Sequence, residues 1–195
     1  MTILARFLGP KSGASSDRLA SYTENMTEKQ PYQVLESFSD FEIRHYPKGT
    51  QIETEVRGDF LRAGNLGFGP LVRFISGNNQ KRQSINMTAP VIQETKAKDT
   101  HLVRFVLPEG MKASNTPKAL DPSVRVIEVP EHFAAAKRFS GSWSQERFEA
   151  EGKALISALL TQGITSEGSL YFARFDPPWK PGFLKRNEVL IKIQR

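Results

Sequence analysis

The chain contains no cysteine, and several classes of function close with that absence. There can be no disulfide framework, no thiolate-held zinc or iron–sulfur cluster and no cysteine nucleophile, so zinc-finger and thiol-redox readings fall away; the usage fits a reducing, cytoplasmic compartment. Histidine is scarce. His45, His101 and His132 are the full set, and none is spaced from another as metal ligands on one helix or hairpin are. Long apolar runs are missing too. The nearest approach, Ile3-Leu4-Ala5-Arg6-Phe7-Leu8, is interrupted by Arg6 and stopped by Gly9-Pro10, which is too short for a membrane span or a secretory core. No integral membrane span is expected, and the run reads as a turn of helix or a weak surface tether. Catalytic signatures are absent as well: there is no Ser-centred nucleophile elbow, phosphate loop, HExxH helix or dinucleotide fingerprint. Gly64-x-x-Gly67-x-Gly69 supplies glycines without the Lys-Ser/Thr end of a phosphate cradle, so close helix packing or close ligand approach explains it better.

What is present is enough apolar residue, 38% of 195, to bury one sizeable core. Lys and Arg outnumber Asp and Glu by 27 to 21, a formal charge of +6 that favours anionic ligands at long range. The basic residues are scattered, with short clusters only at Lys81-Arg82 and Lys185-Arg186. No aromatic–basic signature of an RNA-reading sheet accompanies them, and a nucleic-acid partner is not expected. Residues 1–30, polar and charged towards their end, read as a flexible tail, and 31–195 as one domain.

Phe41, Ile43 and His45 alternate with Glu42, Arg44 and Tyr46, the period of a strand with one face inward. After Pro47-Lys48-Gly49, the run 52–57 alternates again. A helix is predicted over 60–76, capped by Asp59 and weakened midway by Gly64, Gly67, Gly69 and Pro70. Strands follow at 84–94, bent at Pro90, and at 101–107. Strands at 124–129 and 133–139 then precede a second helix over 143–162, with Ser142 and Gln145 as a capping box and Phe148, Gly152, Leu155, Ile156 and Leu159 as its apolar stripe. Strands at 170–175 and 188–193 finish the chain. Strand, strand, helix, strand, strand thus occurs twice, giving an α+β fold of one curved sheet or barrel with two helices against it.

Tyr32-Gln33-Val34-Leu35, Phe41-Glu42-Ile43-Arg44-His45-Tyr46, Ile85-Asn86-Met87-Thr88-Ala89-Pro90-Val91, Asp176-Pro177-Pro178-Trp179-Lys180-Pro181 and Arg186-Asn187-Glu188-Val189 together resemble the SOUL haem-binding protein family, from about Pro31 to the C-terminus. The resemblance implies a distorted antiparallel β-barrel of two pseudo-symmetric halves with two main flanking helices. It also implies a non-enzymatic carrier or buffer of haem or a related tetrapyrrole, held in an apolar groove. By the same resemblance His45 falls on a proposed axial ligand of the haem iron, and Arg73 on a basic residue proposed to meet the propionates. A second basic position falls on Asn65, with Arg62 as the neighbouring substitute.

Read from pattern alone, Leu66, Phe68, Leu71, Val72 and Ile75 offer the first helix a flat apolar surface, although such spacing belongs equally to a core. His45 is equally a ligand or a satisfied core imidazole. Met87 reads as core filling rather than an axial thioether; Trp179 reads as packing over the barrel edge, or as a ligand lid. Two alternatives stand beside the tetrapyrrole binder. The duplicated fold also resembles gyrase-inhibitor-like effector-binding modules for amphipathic aromatic compounds, and a small-molecule hydrolase would use Glu53, Glu55 or Tyr46 as acid or base.

Overall fold

The computed structural model describes residues 27–177 and 179–195, so the apolar run at 3–8 and most of the expected tail lie outside the described residues. In chain order the elements are β1 (Glu28–Lys29), β2 (Gln33–Ser37), β3 (Glu42–Tyr46), β4 (Gly49–Arg57), α1 (Phe60–Ile75), β5 (Thr88–Ala89), β6 (Val91–Ala97), β7 (Thr100–Val106), β8 (Val124–Val129), β9 (His132–Phe139), α2 (Gln145–Thr161), β10 (Ser166–Arg174) and β11 (Asn187–Ile193). The folded part begins before residue 31, because β1 pairs in parallel with β5.

Both helices form where caps and apolar spacing coincide. Asp59 accepts from the backbone N–H groups of Leu61 and Arg62 at 3.1 and 2.9 Å, satisfying two of the donors a helix start leaves open. The expected mid-helix weakness of α1 does not materialise: the helix runs unbroken through Pro70. Its glycines are contact points instead. A Cβ at Gly67 would stand 2.6 Å from the Val103 side chain, and one at Gly64 would collide with the Arg174 guanidinium, so their absence lets the helix sit close to the sheet. The cap of α2 is Ser144, accepting from Arg147 N–H at 3.2 Å, and not Ser142. The first turn therefore starts two residues later than the predicted capping box.

Nine strands form one sheet in the order β2-β3-β9-β11-β10-β6-β7-β4-β8, and every pairing in it is antiparallel. About the β6–β10 seam the order is symmetric: β6-β7-β4-β8 on one side mirrors β10-β11-β9-β3 on the other. Each half donates its first strand to the other half. The strands β2 and β8 end the ladder without pairing to each other, so the expected barrel is not closed by hydrogen bonds.

What curves the sheet is a continuous ribbon. Only Pro47-Lys48 separates β3 from β4, and only Pro130-Glu131 separates β8 from β9. Tyr46 opposes His132 and Gly49 opposes Val129 in one unbroken register. The two long strands bend together where their prolines, lacking an N–H, interrupt the ladder.

The helices share one face, α1 over β4, β7 and β8 and α2 over β9, β10 and β11. Beneath α1 lie Ile52, Leu71, Phe74, Val103 and Phe105; beneath α2 lie Ile43, Phe148, Leu155, Phe172 and Val189. A third, smaller cluster of Tyr46, Ala134, Ala136, Ala173 and Leu190 occupies the helix-free face. No helix among the described residues is long and apolar enough to cross a membrane.

Candidate ligand-binding site

The outer surface of α1 carries three exposed apolar side chains, Leu61, Leu66 and Phe68, each about two-fifths exposed. Helical geometry aligns Arg62, Leu66, Gly69 and Arg73 on one stripe, with Leu61, Asn65, Phe68 and Val72 on the next. Phe68 is braced edge-on against Phe105 at 5.2 Å. Arg73 is exposed and reaches Asp121 at 3.3 Å, whose carboxyl is held below the ordinary range chiefly by the hydroxyl and backbone N–H of Ser123.

Two parts of the expected groove do not fit this surface. Leu71 and Ile75 are buried in the core below the helix, because their side of the stripe meets β4 and β7, so they support the surface without lining it. Arg62 and Arg73 stand eleven residues apart, about 16 Å along the axis at 1.5 Å per residue. The two propionates of a haem leave one edge of the macrocycle, so Arg62 does not complete a two-point clamp with Arg73.

His45 lies elsewhere. It sits in β3 on the side of Phe41 and Ile43, its ring tilted against Phe133 at 5.2 Å and its Nε2 3.5 Å from a Glu131 carboxylate oxygen. Its ring meets the β8–β9 connection and β9, and its backbone lies between Gln33 of β2 and Phe133 of β9, away from α1. His101 is structural: Nε2 donates to the Gly58 carbonyl and Nδ1 accepts from Thr95. No group of three or more metal-ligating side chains gathers among the described residues.

The helix-free face holds a cavity that the sequence reading did not anticipate. It encloses about 340 Å³ between the bent ribbon and strands β6, β10 and β11, with Tyr32, Tyr46, Tyr171 and Phe175 among its walls and Ala173 and Leu190 at its floor. A larger, neighbouring recess shares Gln30, Gln51, Glu128 and Val129 with it. Strand alternation would send Arg44, Tyr46 and Glu188 to solvent, yet all three are buried.

Glu188 accepts from Arg44 Nη1 and Nη2 at 2.7 and 3.2 Å and from Arg186 Nη2 at 2.6 Å. Burial, the largest single influence, works against the charge of Arg44, but the hydrogen bonding to Glu188 and the interactions with the Tyr46 and Glu188 charges together outweigh it and hold the pKa above the ordinary arginine value. Burial raises the phenols of Tyr46 and Tyr171. The acids weighed for hydrolysis are engaged: Glu53 is buried between Arg104 and Arg125 at 2.6 and 2.8 Å, and Glu55 pairs with Lys96 at the surface.

His132 stacks on Tyr46 at 5.3 Å and donates from Nδ1 to the Pro130 carbonyl. Burial pulls its pKa below the ordinary value, with Lys192 adding to the effect. A depressed histidine contributes stability above its unfolded pKa, near 6.5, and loses it as pH falls through the lower folded value. Stability should therefore decline below about pH 6.5, and less steeply in His132→Phe. Urea midpoints at several pH values test this; parallel curves for the two proteins would assign the decline to other groups.

Trp179 and Met87 depart from expectation. Trp179 is 82% exposed and does not pack over the sheet edge, and Met87 at 39% does not fill core space.

The family model described as SOUL heme-binding protein matches residues 27–192. Heme-binding protein 2 of Homo sapiens is 27% identical over 200 residues, covering 98% of this chain and 96% of its own length. Among solved structures, the EcmrR C-terminal domain superposes with a TM-score of 0.63 at 12% identity, over 84% of this chain and 98% of that one. A hydrolase from Listeria innocua gives 0.55 at 9% identity, over 82% and 94%. At such identities the two structures share the fold alone.

Proposed function

We propose that this chain, which belongs to the SOUL heme-binding protein family, binds haem or a related tetrapyrrole on the outer face of α1 and carries or buffers it without catalysing a reaction. The observation that carries the reading is the exposed set Leu61, Leu66 and Phe68 beside Arg73, on a helix whose opposite side is fully buried. A planar macrocycle laid on this face removes apolar area from water on both partners. Arg73 supplies the polar end. Its contact with Asp121 is long and exposed, so a propionate can take over the guanidinium with little loss. The engagement of Glu53 and Glu55 in ion pairs supports binding over hydrolysis.

A charge-assisted contact of this kind is worth about 1.5–3 kcal/mol, so Arg73→Ala should weaken hemin and iron-free protoporphyrin alike by about tenfold or more. Titrations followed through the Soret band measure both. Unchanged affinities in a folded variant would remove α1 as the seat. His45 has a separate readout. A shift of the Soret maximum and the ferric spin state in His45→Ala would place the iron beside β3 and not on α1; identical spectra leave His45 a structural partner of Phe133 and Glu131.

A further inference from the structure

We propose that the cavity on the helix-free face is a second binding site, distinct from the α1 surface, and that it takes a neutral, flat aromatic molecule bearing hydrogen-bond acceptors. Its volume, about 340 Å³, lies within the range of small-molecule sites, and its make-up of aromatic walls with a few converging polar groups is theirs as well. The floor is built from small or aliphatic side chains, Ala173 and Leu190, while Tyr46 and Tyr171 present rings to anything lying on it. Offset or edge-on contact with those rings favours a planar guest.

The charges decide its class. Four carboxylates line the space, those of Glu94, Glu128, Glu167 and Glu188, and three of them are already ion-paired. Glu94 holds Arg104 at 2.7 Å, Glu128 holds Lys48 at 2.8 Å, and Glu188 holds Arg44 and Arg186. Glu167 is exposed near Ser169 at the mouth, where water and salt screen its charge. A cation or an anion seated among the three paired carboxylates would have to break an ion pair, and where the pair is buried, as at Glu188, that loss is severe. A neutral guest leaves them intact.

The hydroxyls decide its polarity. Tyr46 accepts from Arg44, and Tyr32 accepts from Arg186, each at 3.2 Å. Each phenol therefore keeps its own proton to donate. Burial of Tyr46 and Tyr171 keeps those protons in place at any physiological pH, so the walls ask for carbonyl or ring-nitrogen acceptors on the guest.

Nile red, a neutral planar dye with a ring carbonyl, is the probe, compared with anionic anilinonaphthalene sulfonate and cationic rhodamine 6G. Saturable fluorescence enhancement is expected for Nile red. Ser169→Trp, at the exposed mouth, and Ala173→Leu, in the floor, should each weaken it by about tenfold while hemin titrations stay as in the wild type. Because Ser169 is exposed, its variant keeps the test valid even if the floor substitution unfolds the protein. Tyr46→Phe removes the donor and should weaken Nile red by about fivefold. Nile red binding that ignores both blocking substitutions overturns the proposal. So does equal, block-sensitive binding of either charged dye. Loss of hemin binding in the same variants would make the cavity the tetrapyrrole seat and also overturn it.

Discussion

Replacing Glu188 by leucine should destabilise the protein by about 3–5 kcal/mol, the cost of stranding buried charge. The carboxylate is 1% exposed and is the shared acceptor of two guanidinium groups. Arg44 cannot escape to water once its partner is gone. It is 2% exposed, lies over the Tyr32 ring at 4.2 Å and is tied to Glu42 at 2.7 Å. Adding Arg44→Leu should restore much of the loss, because a buried pair replaced whole by apolar side chains is often close to neutral. Urea midpoints of the single and double variants decide the matter. A single-variant cost below about 1 kcal/mol, the scale of an exposed ion pair, or a double variant worse than the sum of the singles, would show that the pairing does not dominate.

Leu155→Ala should cost about 2–5 kcal/mol through the cavity it leaves. Leu155 is fully buried beneath α2, and the helix cannot settle inward to refill the space. Gly152 already lies so close to the sheet that a Cβ there would stand 2.7 Å from Leu170. The neighbouring rings are also locked to one another: Phe148 meets Phe60, Phe139 and Phe172 at centroid distances of 5.2, 5.3 and 4.6 Å. Since Phe60 opens α1, a loss under α2 reaches the helix proposed to seat the tetrapyrrole. An unchanged denaturation midpoint would mean that this core collapses more freely than its rings suggest.

Both helices were legible because a 3.6-residue apolar period is a local signal, joined at α1 by its Asp59 cap, although the cap of α2 is Ser144 and not Ser142; the strands expected at 124–129 and 133–139 fall on β8 and β9. β2 did not. Its side chains are mostly exposed, so no buried face imprints a period on Gln33–Ser37. The first half of β10 was hidden for another reason: Gly168, at φ +73°, sits where the pairing with β11 shifts register. The α1 surface was half legible, since apolar spacing cannot tell Leu66 and Phe68, which face out, from Leu71 and Ile75, which face in. The cavity was illegible. Reading Arg44 and Tyr46 as a solvent face assumes that a sheet with helices on one side is wet on the other, whereas here the sheet's own curvature encloses the second side.

The exchange of first strands means that neither repeat is a folding unit. β3 finds its ladder on β9 and β4 finds its outer neighbour in β8, so a fragment stopping within the 107–123 connection would keep β3 with β2 alone and leave one side of β4 bare. Contacts between residues 46 and 132 close a loop of 86 residues, which places this ribbon among the slow, non-local steps of assembly. Fragments 27–115 and 116–195, made separately, should lack cooperative unfolding transitions and acquire one on mixing; a sharp transition in either alone would refute this. Energetically the two repeats behave as the protomers of an obligate, strand-exchanged dimer that share a single chain.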